Sequence, residues 1–367
     1  MNVSGTHPVI IAEPDGSPIT TIRAGETWSV SPLGEKLALL SPQGSVHQTL
    51  DAMALISVDP SIPLRVNGKP YRGAADVLRG SAGVTVVNRL GLEAYLQGVV
   101  SAEMGRRSWN EQAALEAQAV VSRTFAVQKL GRWKARGFDL TASVADQVYG
   151  GFATETPEGR AAVSQTRGQI LTYNGVPIWA FFYSTCGGRT ADGVEVFRSA
   201  VQPYLRSIAD RAENGSAYCS ISPRYRWREE WTDQSLRATL ERNLPAVAGV
   251  SSRTVRQVRD IRIAQRTASG RVGQLAIALE GPEIQVGGTA IRQVLRPVSG
   301  ELLRSTAFSL GVTGAGERVT HLSADGRGAG HGVGFCQWGA VGRARAGQGY
   351  QQILAAYYPD TRVARRY

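Results

Sequence analysis

From Val9 to about Leu64, short runs of Val, Ile, Leu and Thr alternate with the turn signals PDGS, PLGE and PQGS. That is the pattern of short strands separated by tight turns, so residues 1 to 65 are expected to form a small β-rich region. The Asn-Gly pair in VNGKPYRG (66 to 73) predicts a hairpin, and GVTVVNRL (83 to 90) predicts a strand leading into the next element. The period then changes. In GLEAYLQGVVSAEMG, Leu92, Leu96, Val99 and Glu103 recur at i, i+4, i+7 and i+11 and share one face of a helix. Glu103 thus points where leucines point.

In SWNE, Ser108 can cap the following helix and Glu111, three residues on, can close a capping box, which predicts a helix starting near Trp109. Over 110 to 130, Ala, Val, Leu and Phe occupy nearly the whole circumference, as in a buried central helix, and Arg123 sits in its middle. QVYGG, TRGQILTYNGVPIWAFFYSTCGG and Tyr204-Leu205 read as strands and turns, with Asn174-Gly175 marking a second hairpin. A buried helix against sheet makes the expected fold class α+β. The pattern shifts again over 221 to 318, with a polar helix near 233 to 243 and the hairpin IRIAQRTASGRVGQLAIAL turning at Ser269-Gly270. The expected organisation is a β-rich region (1 to 65), a core in two parts (66 to 220 and 319 to 367), and an inserted α+β subdomain (221 to 318). YQQILAAYYPDT closes the chain as a short helix stopped by Pro359.

A length of 367 residues allows two or three cores, and a chain 43% hydrophobic and 19% charged is not extensively disordered. The formal net charge of +11 favours a polyanionic partner: nucleic acid, an anionic membrane face or an acidic wall polymer. The arginines are scattered, with no zinc-finger spacing, basic heptads or densely basic helix face, so nucleic acid is not the expected partner. No apolar run reaches the length of a membrane span, and MNVSGTHPVI lacks the basic start and apolar middle of a secretory signal. The expectation is a cytosolic chain or a mature fragment without its export signal. Cys186, Cys219 and Cys336 are too few and too widely spaced for a disulfide framework or a CxxC knuckle, and at most one bridge can form.

Glu103 lies on an apolar face near the C-terminal end of its helix, where desolvation and the helix dipole both disfavour negative charge, so a raised pKa is expected. A carboxyl protonated near neutrality suits a general acid that protonates a leaving oxygen; the alternative is a solvated glutamate on a frayed helix end. Arg123 in a buried helix must be paired or open into a cleft. A backbone carbonyl or substrate is the partner compatible with a general acid at Glu103, whereas an ion pair with Asp146 or Glu116 would be structural. His331 and Cys336, with Cys186 and Cys219, raise a metal site or a Cys/His nucleophile pair. H-x4-C matches no closed knuckle and no oxyanion feature singles out a nucleophile, so no metal and no cofactor are expected.

GRGAGHGVGFCQWGA (326 to 340) has neither the Gly-Lys-Ser/Thr ending of a phosphate loop nor the strand-to-helix setting of a dinucleotide fingerprint. As an extended strand it would place Gly326, Gly328, Gly330, Gly332 and Gly334 on one bare face, open to a ligand or to another backbone.

In this order, EAYLQGVVSAEM, EAQAVVSRTFAV, DQVYGG, YSTCGGRT, GHGVGFCQWGA and ILAAYYP resemble the SpoIID/LytB family over about 66 to 220 and 322 to 363. That family contains bacterial lytic transglycosylases of the stage II sporulation protein D type. The resemblance implies that Glu103 is catalytic and that Arg123, Gln147, Tyr149, Ser184, Gly187, Gly188, His331 and Gln337 line a glycan groove. The implied reaction is non-hydrolytic cleavage of the MurNAc-β-1,4-GlcNAc bond, leaving a 1,6-anhydroMurNAc end, on strands stripped of stem peptides. The implied partners are peptidoglycan glycan strands and a peptidoglycan amidase, met outside the cytoplasm. A non-cleaving, amidase-enhancing wall binder is the alternative within the family. Some relatives carry a zinc-binding cysteine pair just before Q-V-Y; Thr141 and Asp146 stand there, so zinc is not expected at that place. The STCGG and GFCQ blocks carry Cys where relatives often have Ser or another residue, which raises a Cys186 to Cys219 bridge as a hypothesis.

Overall fold

The computed structural model describes residues 1 to 197 and 200 to 367, and it divides into two compact units, Met1–Ile170 with Arg365–Tyr367, and Leu171–Ala364. Helix and sheet are mixed, consistent with the α+β class.

The first unit opens with eleven strands. These are β1 (Asn2–Gly5), β2 (Val9–Ala12), β3 (Pro18–Ile22), β4 (Thr27–Leu33), β5 (Lys36–Leu40), β6 (Val46–Leu50), β7 (Ala52–Ser57), β8 (Leu64–Val66), β9 (Lys69–Tyr71), β10 (Ala74–Gly80) and β11 (Gly83–Arg89). They form two antiparallel sheets, ordered β6-β5-β4-β1-β8-β9 and β11-β10-β7-β2-β3. One core, including Val3, Ile11, Val30, Leu55, Leu64 and Val77, is built from both sheets. Because Val66, Ala75 and Val77 belong to that core, the β region does not stop at residue 65. It continues to Arg89, since β8 to β11 are needed to complete the sheets that the first strands begin. Asn67 and Gly68 (φ 48° and 76°) make the turn between β8 and β9, both in the left-handed region that the two-residue hairpin requires.

Three helices follow, α1 (Leu92–Met104), α2 (Gln112–Lys129) and α3 (Pro157–Gln165). Leu96 and Val99 are fully buried, and each stabilises the docked helix by roughly 1.5–3 kcal/mol, which fixes the face on which Glu103 sits. The Ser108/Glu111 capping box is present, but it closes a single 3-10 turn, Trp109–Glu111, ahead of α2. α2 is buried along most of its length and packs against α1 and α3. The final residues belong here too: Arg366 N–H donates to Gly168 O at 2.9 Å, and the Tyr367 hydroxyl bonds Glu93.

The chain passes into the second unit within β12 (Gln169–Tyr173) and turns at Asn174-Gly175 (φ 50° and 79°) into β13 (Val176–Pro177). β14 (Phe182–Tyr183), α4 (Gly193–Val196), β15 (Arg226–Thr232), α5 (Asp233–Ala248), β16 (Val258–Arg266), β17 (Val272–Leu279) and β18 (Glu283–Gly287) follow. Then come α6 (Ala290–Val294), β19 (Phe308–Gly314), β20 (Val319–Arg327), β21 (Phe335–Cys336), α7 (Gln337–Arg345), α8 (Tyr350–Tyr357) and β22 (Arg362–Arg365). The sheets β15-β20-β19 and β16-β17-β18 pack with α5 and α6 around Trp231, Leu240, Ile277 and Leu322. This core reaches Ala324, so β20 is part of the segment expected to end at 318. β14 and β21 pair in parallel, Phe182 with Phe335 and Tyr183 with Cys336. No helix among the described residues is long and apolar enough to cross a membrane.

Candidate functional site

In the first unit, Glu103 stands half-buried on the last turn of α1, and its Oε1 accepts the Val148 N–H at 2.7 Å. The segment carrying Val148 can come this close because α1 has Gly98: a Cβ there would meet the Tyr149 ring at 2.6 Å. From the same helix the Tyr95 hydroxyl donates to Gln147 Oε1 at 3.2 Å, and the Tyr95 and Tyr149 rings lie 5.2 Å apart. The Tyr149 hydroxyl donates to Asn88 Oδ1 at 2.6 Å. Burial raises the pKa of both tyrosines, with nearby carboxylates adding to it, so both remain hydrogen-bond donors across physiological pH. Gln147 is fully buried, and its Nε2 has no hydrogen-bond partner. Glu103, Gln147 and Tyr149 are thus gathered into one group. A cavity of about 820 Å³ adjoins it, lined by Tyr71, Asn88, Tyr95, Phe138 and Tyr149 among others; Glu103 is not in its wall.

Arg123 is 0% exposed and spends its guanidinium on protein groups. Nε and Nη2 each lie 2.8 Å from the two oxygens of Glu93, Nη1 donates to Gln169 O at 3.0 Å, and Nη2 donates to Val163 O at 3.3 Å. Backbone carbonyls are thus among its partners, and the ion pair is made with Glu93 rather than with Asp146 or Glu116. Burial acts to raise the Glu93 carboxyl, but the bonds from Arg123 and Tyr367 outweigh it and hold the group below its ordinary range. Asp146 is occupied elsewhere: it accepts from Arg132 at 2.6 Å, Trp133 Nε1 at 3.0 Å, and both the N–H and the hydroxyl of Thr141 at 2.9 Å. Thr141 and Asp146 tie their loop together by hydrogen bonds.

In the second unit the glycine-rich run is not an extended strand. β20 ends at Arg327, and Gly328, Gly330, Gly332 and Gly334 all have positive φ (74°, 107°, 96° and 74°). A Cβ would meet Thr185 O at 2.5 Å from Gly328, Tyr183 Cβ at 2.7 Å from Gly330 and Phe181 O at 2.4 Å from Gly334. The bare positions receive the neighbouring 181 to 186 backbone rather than presenting a flat face. His331 is packed among Phe181, Tyr183 and Phe197. Its Nδ1 accepts the Val333 N–H at 3.1 Å, which makes Nε2 the protonated nitrogen, 2.9 Å from Phe182 O. Burial, reinforced by Arg292 and Arg271, lowers its pKa to about 4, so the ring is neutral at physiological pH and both nitrogens are engaged.

Ser184, Gly187, Gly188 and Gln337 surround a different group, Cys186, Asp210, Cys219 and Cys336, whose donor atoms all lie within 4.8 Å of one another. All four residues are at most 1% exposed, and all three cysteines are free thiols. Cys186 Sγ is 3.3 Å from Cys219 Sγ and 3.2 Å from Asp210 Oδ2. Arg343 Nε reaches Asp210 Oδ1 at 3.0 Å, and the Tyr357 hydroxyl donates to Oδ2 at 2.8 Å. Burial pushes the Cys186 and Cys336 thiols up, whereas bonds from those two groups favour thiolate at Cys219. Burial also raises the Asp210 carboxyl against the pull of Arg343. The sequence gives no local sign of Asp210, Arg343 or Tyr357, whose meeting depends on residues up to 147 positions apart. Tyr95 and Asn88 were equally missed, although Tyr95 lies in the EAYLQG block itself.

The chain as a whole is similar to known proteins. The family model described as Stage II sporulation protein matches residues 80 to 173, and a domain of unknown function, DUF8618, matches 216 to 334. Stage II sporulation protein D of Bacillus subtilis (strain 168) is 30% identical over 322 residues, covering 82% of this chain and 84% of the relative. An uncharacterized protein of Brachyspira hyodysenteriae is 31% identical over 317 residues, covering 86% of this chain and 75% of its own length. The amidase enhancer of B. subtilis is 26% identical over 298 residues, 72% of this chain, which spans only 40% of that relative. The chain belongs to the SpoIID/LytB family.

Proposed function

We propose that this protein has a cell-wall function and acts outside the cytoplasm as a lytic transglycosylase on peptidoglycan glycan strands, with Glu103 as the general acid and base. The observation that carries this reading is the group on α1: one carboxylate fixed by a backbone N–H, beside the Gln147–Tyr149 segment and a large aromatic-lined cavity. In the proposed reaction Glu103 protonates the glycosidic oxygen as the C1–O4 bond breaks. The resulting carboxylate then takes the proton of the muramoyl 6-hydroxyl as O6 bonds to C1, which restores the acid and leaves a 1,6-anhydro end. Because the nucleophile belongs to the same sugar, no second carboxylate is needed to activate water, unlike in hydrolytic glycosidases. Tyr95 and Tyr149 offer ring faces to the apolar faces of sugars, and Gln147 Nε2 offers a donor for an N-acetyl or hydroxyl oxygen. Arg123, bound to both oxygens of Glu93, serves this reading by holding α1 in place.

Purified glycan strands, with and without stem peptides, incubated with wild type and Glu103→Gln and analysed by mass spectrometry test the reading. Wild type should yield anhydromuramoyl ends and Glu103→Gln at least about a hundredfold fewer, the scale of a lost general acid. Equal yields from the two proteins, or none from wild type, would sink it. Binding without cleavage, coupled to stimulation of a peptidoglycan amidase, would establish the enhancer role named for the B. subtilis relative.

A further inference from the structure

Three sulfurs and a carboxylate buried in one cluster are difficult to explain as apolar packing. A carboxylate is costly to bury, and the thiols could have been replaced by small apolar residues at no such cost. We propose that Cys186, Cys219, Cys336 and Asp210 form a structural zinc site in the second unit. The donor set fits a borderline-soft divalent ion: tetrahedral zinc with Zn–S bonds of about 2.3 Å sets sulfurs roughly 3.8 Å apart. Cys186 and Cys219 Sγ stand at 3.3 Å and all four donors fall within 4.8 Å, so the cluster needs only a slight expansion to receive the ion.

The surroundings supply an independent argument. Backbone N–H groups point at the sulfurs: Cys186 N lies 3.1 Å from Cys336 Sγ, Gly188 N is 3.2 Å from Cys186 Sγ, and Gly339 N is 3.2 Å from Cys336 Sγ. Such donors stabilise metal-bound thiolates. Gly187 and Gly188, at φ 75° and 94°, give the chain after Cys186 the left-handed bend that turns the Gly188 N–H back onto the sulfur. Cys336 also caps α7, whose N-terminal dipole favours negative charge. Arg343 and Tyr357 hold Asp210 from the far side, as outer partners of a ligating carboxylate do. On binding, the three thiols give up their protons to solvent. Three thiolates and a carboxylate then face a dication and Arg343, and four protein donors leave no position for substrate, which makes the ion structural.

Metal analysis of the full chain, reduced, incubated with Zn²⁺ and desalted, should find one zinc per chain. Co²⁺ in its place should give thiolate-to-metal charge-transfer absorption and the visible bands of tetrahedral cobalt. Cys336→Ser and Asp210→Asn should weaken Zn²⁺ binding by more than tenfold. Tyr357→Phe, which leaves all four donors in place, should weaken it by about 10–100-fold. Glu103→Gln should bind zinc like wild type, which keeps this test independent of the catalytic one. Folded, reduced wild type that retains no zinc overturns the proposal, as does a single titratable thiol per chain in protein purified without reductant, the mark of a Cys186 to Cys219 bridge. If the cysteine variants do not fold, the wild-type stoichiometry and cobalt spectrum decide.

Discussion

The two units each bury an arginine against a carboxylate, Arg123 with Glu93 in the first and Arg343 with Asp210 in the second. The first pair is closed. Arg123 makes a bidentate contact, its remaining donors meet backbone carbonyls, and Glu93 is further bonded by Gly168 N–H and Tyr367. In the second, Arg343 holds one oxygen of Asp210 while the other accepts the Tyr357 hydroxyl and lies 3.2 Å from Cys186 Sγ. The same ion pair is thus a rivet in one unit and one wall of a cysteine cluster in the other. What separates them is whether the carboxylate's second oxygen meets the same guanidinium or a tyrosine hydroxyl and a thiol.

The largest effect should come from breaking the closed pair. Arg123→Met leaves Glu93 half-buried without its cation and should cost about 3–5 kcal/mol in urea unfolding, with or without Zn²⁺. Arg343→Met should cost comparably in zinc-free protein and clearly less with Zn²⁺ bound, because the ion then also neutralises Asp210. Equal losses in the two metal states would erase the distinction between the pairs. An acid-dependent loss of up to about 3 kcal/mol should come from His331. Its folded pKa of about 4 lies below the ordinary 6.5, so between these values the unfolded chain binds more protons. Stability from this residue is present above pH 6.5 and drains away as the pH falls to 4, and His331→Phe should flatten that part of a stability-against-pH curve. Thr141→Val removes one of several donors to Asp146 and should cost only about 1 kcal/mol, read as a small drop in Tm.

The legible parts of the fold were those set by neighbours in sequence. Asn67-Gly68 and Asn174-Gly175 turned where their dipeptides require, and the capping box at Ser108 and Glu111 formed. The spacing of Leu96, Val99 and Glu103 gave one face of α1 correctly. What escaped depended on tertiary placement. Glu93 was overlooked as the partner of Arg123 because helix packing, not spacing, brings residues thirty positions apart together. The alternating glycines suggested an extended strand, since period two is a strand signal; their positive φ follows from crowding against the 181 to 186 segment, which no local pattern reveals. The gathering of the three cysteines escaped because their spacing along the chain says nothing of their approach in space, and Asp210, which joins them, is a buried aspartate with no spacing of its own.

The passage of the chain out of the first unit at Ile170 and back at Arg365 bears on how the protein emerges from the ribosome. Gly168 and Glu93 are made early, but the groups that complete their bonding, Arg366 N–H and the Tyr367 hydroxyl, are translated only after the whole of Leu171–Ala364. The first unit can collapse around its sheets during synthesis, yet its last bonds must wait. Vectorial translation therefore favours finishing the second unit before the first is locked.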